Sequence, residues 1–282
     1  MRNFIKTIGR KALRTPGLRV GALFAQRSLI LTQYLSRPVG PAVRWLFASR
    51  ENTNFTYDLT DANKNYLAHT VAHVCQIEPA KARAYIAELG SDHELIRHIE
   101  NATGGSSQRH LAATKVAFGR RLGWYAFVRA MKPRLVVETG VDKGLGSSVI
   151  TRALQRNSAE GFSGYYYGTD INPEAGYLLQ GDLTQFGKVL FGDSLESLAR
   201  LEPQIDLFIN DSDHSAVYER KEYTLIRDKL SERAIVLGDN SHITTELHDF
   251  SCETGRSFLF FAERPADHWY PGGGIGISFV AK

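Results

Sequence analysis

Val136–Val137–Glu138–Thr139–Gly140–Val141–Asp142–Lys143–Gly144–Leu145–Gly146–Ser147–Ser148 reads as an apolar strand running into a glycine-rich turn that opens a helix. Glycine lets the backbone turn sharply and approach a ligand closely, and a helix start offers unpaired N–H groups. The spacing excludes two familiar uses of such a turn. No Gly-Lys-Ser/Thr follows, so it is not a phosphate-gripping P-loop. Gly140-x3-Gly144-x-Gly146 also departs from the Gly-x-Gly-x-x-Gly of nicotinamide-binding domains, which argues against a dehydrogenase. Glu138, Gly140, Gly144 and Ser147 are the candidate ligand-binding residues of this turn.

Downstream, short β-rich runs alternate with helical stretches: Leu135–Glu138, Tyr165–Asp170, Lys188–Phe191, Ile205–Asn210 and Ile235–Gly238. Such alternation predicts βαβ units and a doubly wound parallel sheet. Ser257–Ala262 and Ile275–Val280 are joined by a loop alone, so an antiparallel terminal pair is expected. The tract 51–132 reads as a helical cap. It has helices over Ala62–Gln76 (capped by Asp61), over Glu78–Leu89 and after Asp92, a polar loop over Asn101–Gln108, and a long amphipathic helix over Leu111–Met131. Three regions result: a basic arm (1–50), the helical cap (51–132) and the α/β domain (133–282).

Acids recur where the strands end. Asp170 closes Tyr165–Tyr166–Tyr167–Gly168–Thr169–Asp170, where a carboxylate can accept from both hydroxyls of a ribose. It can equally cap the segment Ile171–Asn172–Pro173. The longer than usual distance back to Gly140 is attributed to an inserted loop over Asn157–Gly164. Asp193, after the third strand, is placed to read an adenine edge, to cap the next helix, or both. Ile209–Asn210–Asp211–Ser212–Asp213–His214–Ser215 and Val236–Leu237–Gly238–Asp239–Asn240 end strands four and five. Their acids converge on the sheet edge where doubly wound folds place ligands. Asp211, Asp239 and Asn240 are three hard oxygen donors, a set that suits Mg²⁺. His214, with a pKa near neutrality, is the candidate general base and Asp213 its alternative. His242, and His268, Trp269 and Tyr270 on the glycine-hinged run Asp267–Gly274, are candidate acceptor-binding residues on a lid. Packing of those aromatics on the helical region is the plainer alternative.

Over roughly residues 124–282 the chain resembles the class I S-adenosylmethionine (SAM)-dependent methyltransferases. Within them it is most similar to the metal-dependent O-methyltransferase branch of catechol, caffeoyl-CoA and macrolide-sugar enzymes. The resemblance rests on the strand-end Glu138 before Gly140, the acids at the strand ends, and five parallel strands finished by an antiparallel pair. It implies a Rossmann-like domain that binds SAM through Glu138, Gly140, Gly144, Ser147, Asp170, Asp193 and Asp211. It also implies metal ligation by Asp211, Asp239 and Asn240. Where that branch has a lysine base three residues beyond the first metal-site aspartate, this chain has His214. The expected reaction is methyl transfer to a hydroxyl of a small molecule or glycan with Mg²⁺ assistance. The alternatives are a metal-independent methyltransferase with His214 or Asp213 as base, and a non-catalytic SAM-binding protein anchored through its arm.

Composition sets the remaining expectations. Net charge is +4, yet residues 1–50 hold ten Lys or Arg and no acid, leaving 24 basic against 30 acidic side chains elsewhere. A basic arm on a mildly acidic body argues against a nucleic-acid groove and for contact with an anionic surface such as lipid headgroups. Phe4, Ile5, Ile8, Ala12 and Leu13 fit a surface-lying helix. They fit equally a helix packing on its own domain or on a second subunit. Two separated cysteines, Cys75 and Cys252, provide neither a disulfide framework nor a zinc spacing. They read as buried thiols in a cytoplasmic protein, peripheral to the membrane at most.

Overall fold

The computed structural model describes residue 17 and residues 19–35, 38–51, 55–113, 115–202, 204–239 and 241–281. The arm pattern at Phe4–Leu13 and the ligand candidate Asn240 lie outside the described residues.

The chain forms two compact units. One comprises residues up to Ser49 together with Asp267–Tyr270, and contains helices α1 (Arg19–Leu35) and α2 (Val39–Ala48). Neither helix buries a side chain; Phe24, Leu29, Leu46 and Phe47 stand in solvent. Within this unit Arg44 pairs with Asp267 at 2.8 Å and Trp45 meets Trp269 edge-on at 5.2 Å between centroids. No described helix is long and apolar enough to cross a membrane.

The other unit, Arg50–Ala266 with Pro271–Lys282, is built on a seven-stranded sheet of order β3-β2-β1-β4-β5-β7-β6. Its strands are β1 (Leu135–Thr139), β2 (Tyr165–Asp170), β3 (Gly187–Phe191), β4 (Ile205–Asn210), β5 (Leu230–Asp239), β6 (Ser257–Ala262) and β7 (Gly274–Phe279). The first five are parallel, and β7 runs against both β5 and β6, as the loop-only connection requires. The central runs are apolar throughout because both faces are covered.

On one face, α8 (Ser194–Arg200), α9 (Ala216–Ile226) and α10 (Glu246–Glu253) close a core of Val137, Leu198, Phe208, Tyr223, Val236 and Phe250. Cys252 sits on the outer side of α10 and is exposed, contrary to the expectation of two buried thiols; Cys75 is half-buried. On the other side α6 (Arg121–Met131) packs against α7 (Leu145–Ala159), burying Trp124, Phe127, Ile150 and Leu154.

The helical tract departs from expectation at its caps and breaks. Thr60, not Asp61, caps α3 (Asp61–Cys75), its hydroxyl accepting from Asn63 N. After α4 (Pro79–Gly90), Asp92 caps α5 (His93–Gly105) as expected, but α5 runs on into the polar tract read as a loop. The long helix over Leu111–Met131 is half its expected length. A 3₁₀ turn covers Arg109–Leu111, and regular α-helix starts only at Arg121, after Gly119 takes φ +51° against Tyr57. The insert over Asn157–Gly164 shrinks likewise. α7 continues to Ala159, and Asn157 is buried, its amide donating to Val128 O at 2.9 Å.

Candidate active site

The glycine turn and the ends of β1 and β4 are built against each other. At Gly140, φ is +82°, and a Cβ there would lie 2.0 Å from the carbonyl oxygen of Asp211. Only glycine allows that approach. At Gly144, φ +93°, the turn caps α7. Asp170 Oδ2 accepts from Val141 N at 3.0 Å and Asp142 N at 2.8 Å, while Oδ1 accepts from Asn172 N. The strand-two carboxylate thus fastens the turn of strand one.

Beneath the turn lies a second tie. Glu222 on α9, fully buried, accepts from Thr139 Oγ1 at 3.1 Å, from Ser212 Oγ at 2.9 Å and from Ser194 and Asn210 side chains. One carboxyl on α9 therefore joins the ends of β1 and β4 to the start of α8. Burial raises its pKa.

A cleft of about 580 Å³ opens above these strand ends. Its walls include Gly140, Asp170, Asp193, Asp211, Asp213, His214 and Asp239. The structure therefore gathers seven of the residues singled out in the sequence into one concavity. Asp193 caps α8 through Leu195 N at 2.8 Å and accepts from Tyr218 at 2.9 Å; Asp213 accepts from Ser215 N at 2.8 Å in the turn that leads into α9.

Other candidates stand elsewhere. Glu138 and Ser147 are buried under the turn, both bonded to the Tyr166 hydroxyl, and burial pushes Glu138 up to about 7. Gly144 meets Gly176 rather than the cleft. His242 is exposed, its ring 6.4 Å from that of Phe260. His268, Trp269 and Tyr270 belong to the first unit, where Trp269 contacts Trp45.

At the β4–β5 end three residues appear that sequence spacing could not reveal. Arg120, just before α6, closes both arms of its guanidinium on Asp239, Nη2 to Oδ2 at 2.6 Å and Nε to Oδ1. Its Nη1 donates to the Tyr57 hydroxyl at 3.1 Å and lies 3.7 Å from Glu263. Tyr57 in turn bonds Glu263. Burial alone would lift Asp239, but the Arg120 charge and a bond from Asp211 outweigh it and hold Asp239 below its ordinary value. Asp211, desolvated and facing the Asp239 charge, is pushed well above the carboxylate range. Two buried carboxylates this close disfavour each other's charge, which drives their pKa values apart in opposite directions.

His214 lies between acids, Nε2 3.8 Å from Asp211 Oδ1 and Nδ1 3.8 Å from Glu219 Oε1. Glu219 raises its pKa; burial opposes this without cancelling it.

Two absent groups are tested by this geometry. The cleft volume suits a nucleoside-sized ligand. The Gly140 cradle, where backbone replaces any side chain, together with Asp170 and Asp193, fits SAM. Mg²⁺ fits less well. Asp211, His214 and Asp239 bring donor atoms within 4.8 Å of one another. Yet both Asp239 oxygens already accept from Arg120, and one of the three donors is an imidazole, which Mg²⁺ disfavours. With the guanidinium closed on Asp239 the set does not fit a resident Mg²⁺.

The comparisons with known proteins accord with this geometry. Residues 137–241 match the family model described as a methyltransferase domain. No curated protein sequence matches the chain. Among solved structures, a protein from Klebsiella pneumoniae assigned to the O-methyltransferases superposes with TM-score 0.50 at 17% identity. The match covers 68% of this chain and 91% of that one. An O-methyltransferase from Bacillus cereus in complex with S-adenosylhomocysteine aligns at TM-score 0.49 and 15% identity, over 66% and 91% of the two chains.

Proposed function

Residues 137–241 form a methyltransferase domain of the class I SAM-dependent fold, and from that premise we propose that this enzyme transfers the SAM methyl group to a hydroxyl oxygen of a small molecule or glycan. The observation that carries the reading is the single cleft that joins Gly140, Asp170 and Asp193 at one end to Asp211, His214 and Asp239 at the other. The first set holds the nucleoside: Asp170 receives ribose hydroxyls, Asp193 lies beside the base, and backbone at Gly140 approaches closely. SAM supplies a methyl group on a sulfonium centre, open to in-line attack by oxygen.

The second set prepares that oxygen. His214, made more basic by Glu219, accepts the hydroxyl proton, while Asp213, bonded to Ser215 N, orients the loop that carries the histidine. Arg120 places a fixed positive charge on the wall beside Asp239, where negative charge grows on the acceptor. Most of the acceleration then comes from positioning the two reactants. His242 is a proposed acceptor contact.

Mg²⁺ assistance is the second reading. It is favoured by the convergence of three donor atoms and opposed by the hold of Arg120 on Asp239. Calorimetry with SAM, S-adenosylhomocysteine and NAD tests the cofactor: the first two bind and NAD does not. Folded protein giving no heat with either SAM compound refutes the reading. Turnover of a radiolabelled-SAM acceptor screen with and without EDTA then decides the metal, with full activity in EDTA expected. Binding without turnover on any phenol, sugar or glycan supports the regulatory alternative.

The arm has a proposed role of its own. Ten basic and no acidic residues in 1–50, with Phe24, Leu29, Leu46 and Phe47 exposed, suit attachment to an anionic bilayer surface. Co-sedimentation with phosphatidylserine vesicles is expected at low salt. Self-association in place of sedimentation would assign these faces to a second copy.

A further inference from the structure

The outer side of α10 carries a group of side chains that the proposed reaction does not use. Cys252 is exposed there, and its Sγ lies 3.7 Å from Nε2 of His248, one helical turn earlier. Nδ1 of the same ring meets Asp249 Oδ1 at 3.0 Å. Asp249 is itself held in place. Its Oδ2 accepts from the Thr245 hydroxyl at 2.9 Å and lies 3.8 Å from Nη2 of Arg220 on α9. The His248 ring also stands nearly perpendicular to Phe258 of β6, 5.5 Å between centroids.

Nucleophile, base and orienting acid thus follow one another within bonding reach, the arrangement that activates a thiol. A ring nitrogen that donates to a carboxylate leaves the other as an acceptor. The Asp249 contact therefore selects the tautomer in which Nε2 can take a proton. His248 in turn holds Asp249 below the ordinary carboxylate value. The position of the thiol makes this help decisive. Cys252 lies in the last turn of α10, at the negative end of the helix dipole, which disfavours a thiolate. Reactivity above that of an ordinary thiol must there come from the imidazole. Cys75 supplies an internal contrast, since burial pushes its thiol up to about 12.

We propose that Cys252 is a thiol-modification site for low-molecular-weight disulfides, with His248 as its base and Asp249 as the residue that positions the imidazole. The thiol proton passes to Nε2, and the sulfur attacks one sulfur of the reagent. The reagent's S–S bond breaks, a mixed disulfide forms on Cys252, and the departing thiolate takes up the proton. Cys252 is oxidised and one half of the reagent is reduced to its thiol. The adduct projects from the fold, because α10 turns Leu247, Phe250 and Ser251 inward and leaves Cys252 outside. None of this depends on the methyl-transfer reading.

Full-length protein treated with hydroxyethyl disulfide, an uncharged reagent, and followed by intact-mass spectrometry with peptide mapping tests this. One adduct per chain is expected, on Cys252, with Cys75 unmodified. His248→Ala should slow its formation by roughly tenfold or more, and imidazole added to the buffer should restore part of the rate. Asp249→Asn keeps an acceptor for Nδ1 and should stay near the wild-type rate, whereas Asp249→Ala should fall toward that of His248→Ala. His248→Gln replaces the alanine variant if the latter loses its circular dichroism. Modification of Cys75 in preference to Cys252 overturns the proposal. So does a wild-type rate in folded His248→Ala or His248→Gln, which would leave Cys252 an exposed thiol without a base. A slow His248→Ala that imidazole does not quicken refutes the histidine as base, and a wild-type rate in Asp249→Ala refutes the positioning role of Asp249.

Discussion

Arg120→Met removes the guanidinium from the β4–β5 end and leaves its neighbours in place. Asp239 and Glu263 then lose the cation they share in the structure, although both carboxylates are wholly inaccessible. Breaking a buried pair from one side costs about 3–5 kcal/mol, because the remaining charge keeps its desolvation penalty. At roughly 2–4 °C per kcal/mol for a chain of this size, the melting temperature falls by about 10 °C. The sign with pH is fixed by the direction of the Asp239 shift. A carboxylate held below its ordinary pKa contributes stability above its unfolded value and loses it as pH falls through the folded one. The deficit of Arg120→Met is therefore widest near neutrality and narrows in acid, where Asp239 is protonated in both proteins. Adding Asp239→Asn to Arg120→Met should restore most of the loss, since the orphaned charge is gone, and the non-additivity measures the pair. Urea unfolding at neutral and acidic pH is the assay. A loss under about 1 kcal/mol at pH 7, or a double variant weaker than the single one, would refute the account of Arg120 as the counter-ion of this acid pair.

Gly140→Ala should abolish S-adenosylhomocysteine binding in calorimetry and destabilise the fold, because its Cβ would sit 2.0 Å from the Asp211 carbonyl oxygen at φ +82°. Asp92→Asn should cost about 2 kcal/mol at neutral pH. Burial raises the Asp92 pKa, but Arg152, Arg156 and the Leu95 amide together bring it to about 2, so the difference from wild type should fade as unfolding is measured from pH 4 down through about 2. His214→Ala should lower kcat by roughly 10²–10⁴ while leaving affinity for S-adenosylhomocysteine unchanged; an unaltered kcat would leave the histidine only the orientation of the α9 loop.

Local pattern carried the sheet. Tyr165–Asp170, Ile205–Asn210 and Ser257–Ala262 are apolar or β-rich runs whose observed ends coincide with the expected ones. β5 begins five residues before the expected Ile235, in a stretch whose Glu232 and Arg233 are exposed and mask the strand signal. The acids at the strand ends were legible because doubly wound sheets gather them at one edge. What each acid does was less legible. Asp170 and Asp193 spend part of their capacity on backbone N–H groups, and Glu138 lies under the turn, out of the cleft. Arg120, Tyr57 and Glu263 were invisible for a simpler reason. They meet across separations of more than 60 residues, and nothing in their own neighbourhoods marks them. The one local clue was Gly119, read as helix interior, whose positive φ ends the preceding segment and delivers Arg120 to the cleft.

That delivery has a consequence for dissection of the protein. The segment matching a methyltransferase domain begins at residue 137 and stops at 241. The counter-ion of Asp239 comes from before it, and Glu263, the acid next to that counter-ion, comes from after it. A fragment trimmed to the recognisable domain would therefore keep every acid of the cleft and discard the charge that balances them. Transplanting the same segment onto a relative would require the recipient to supply an arginine, or some other cation, at the same place. Charge balance at the β4–β5 end thus reaches beyond the matched segment on both sides, to Arg120 and Glu263.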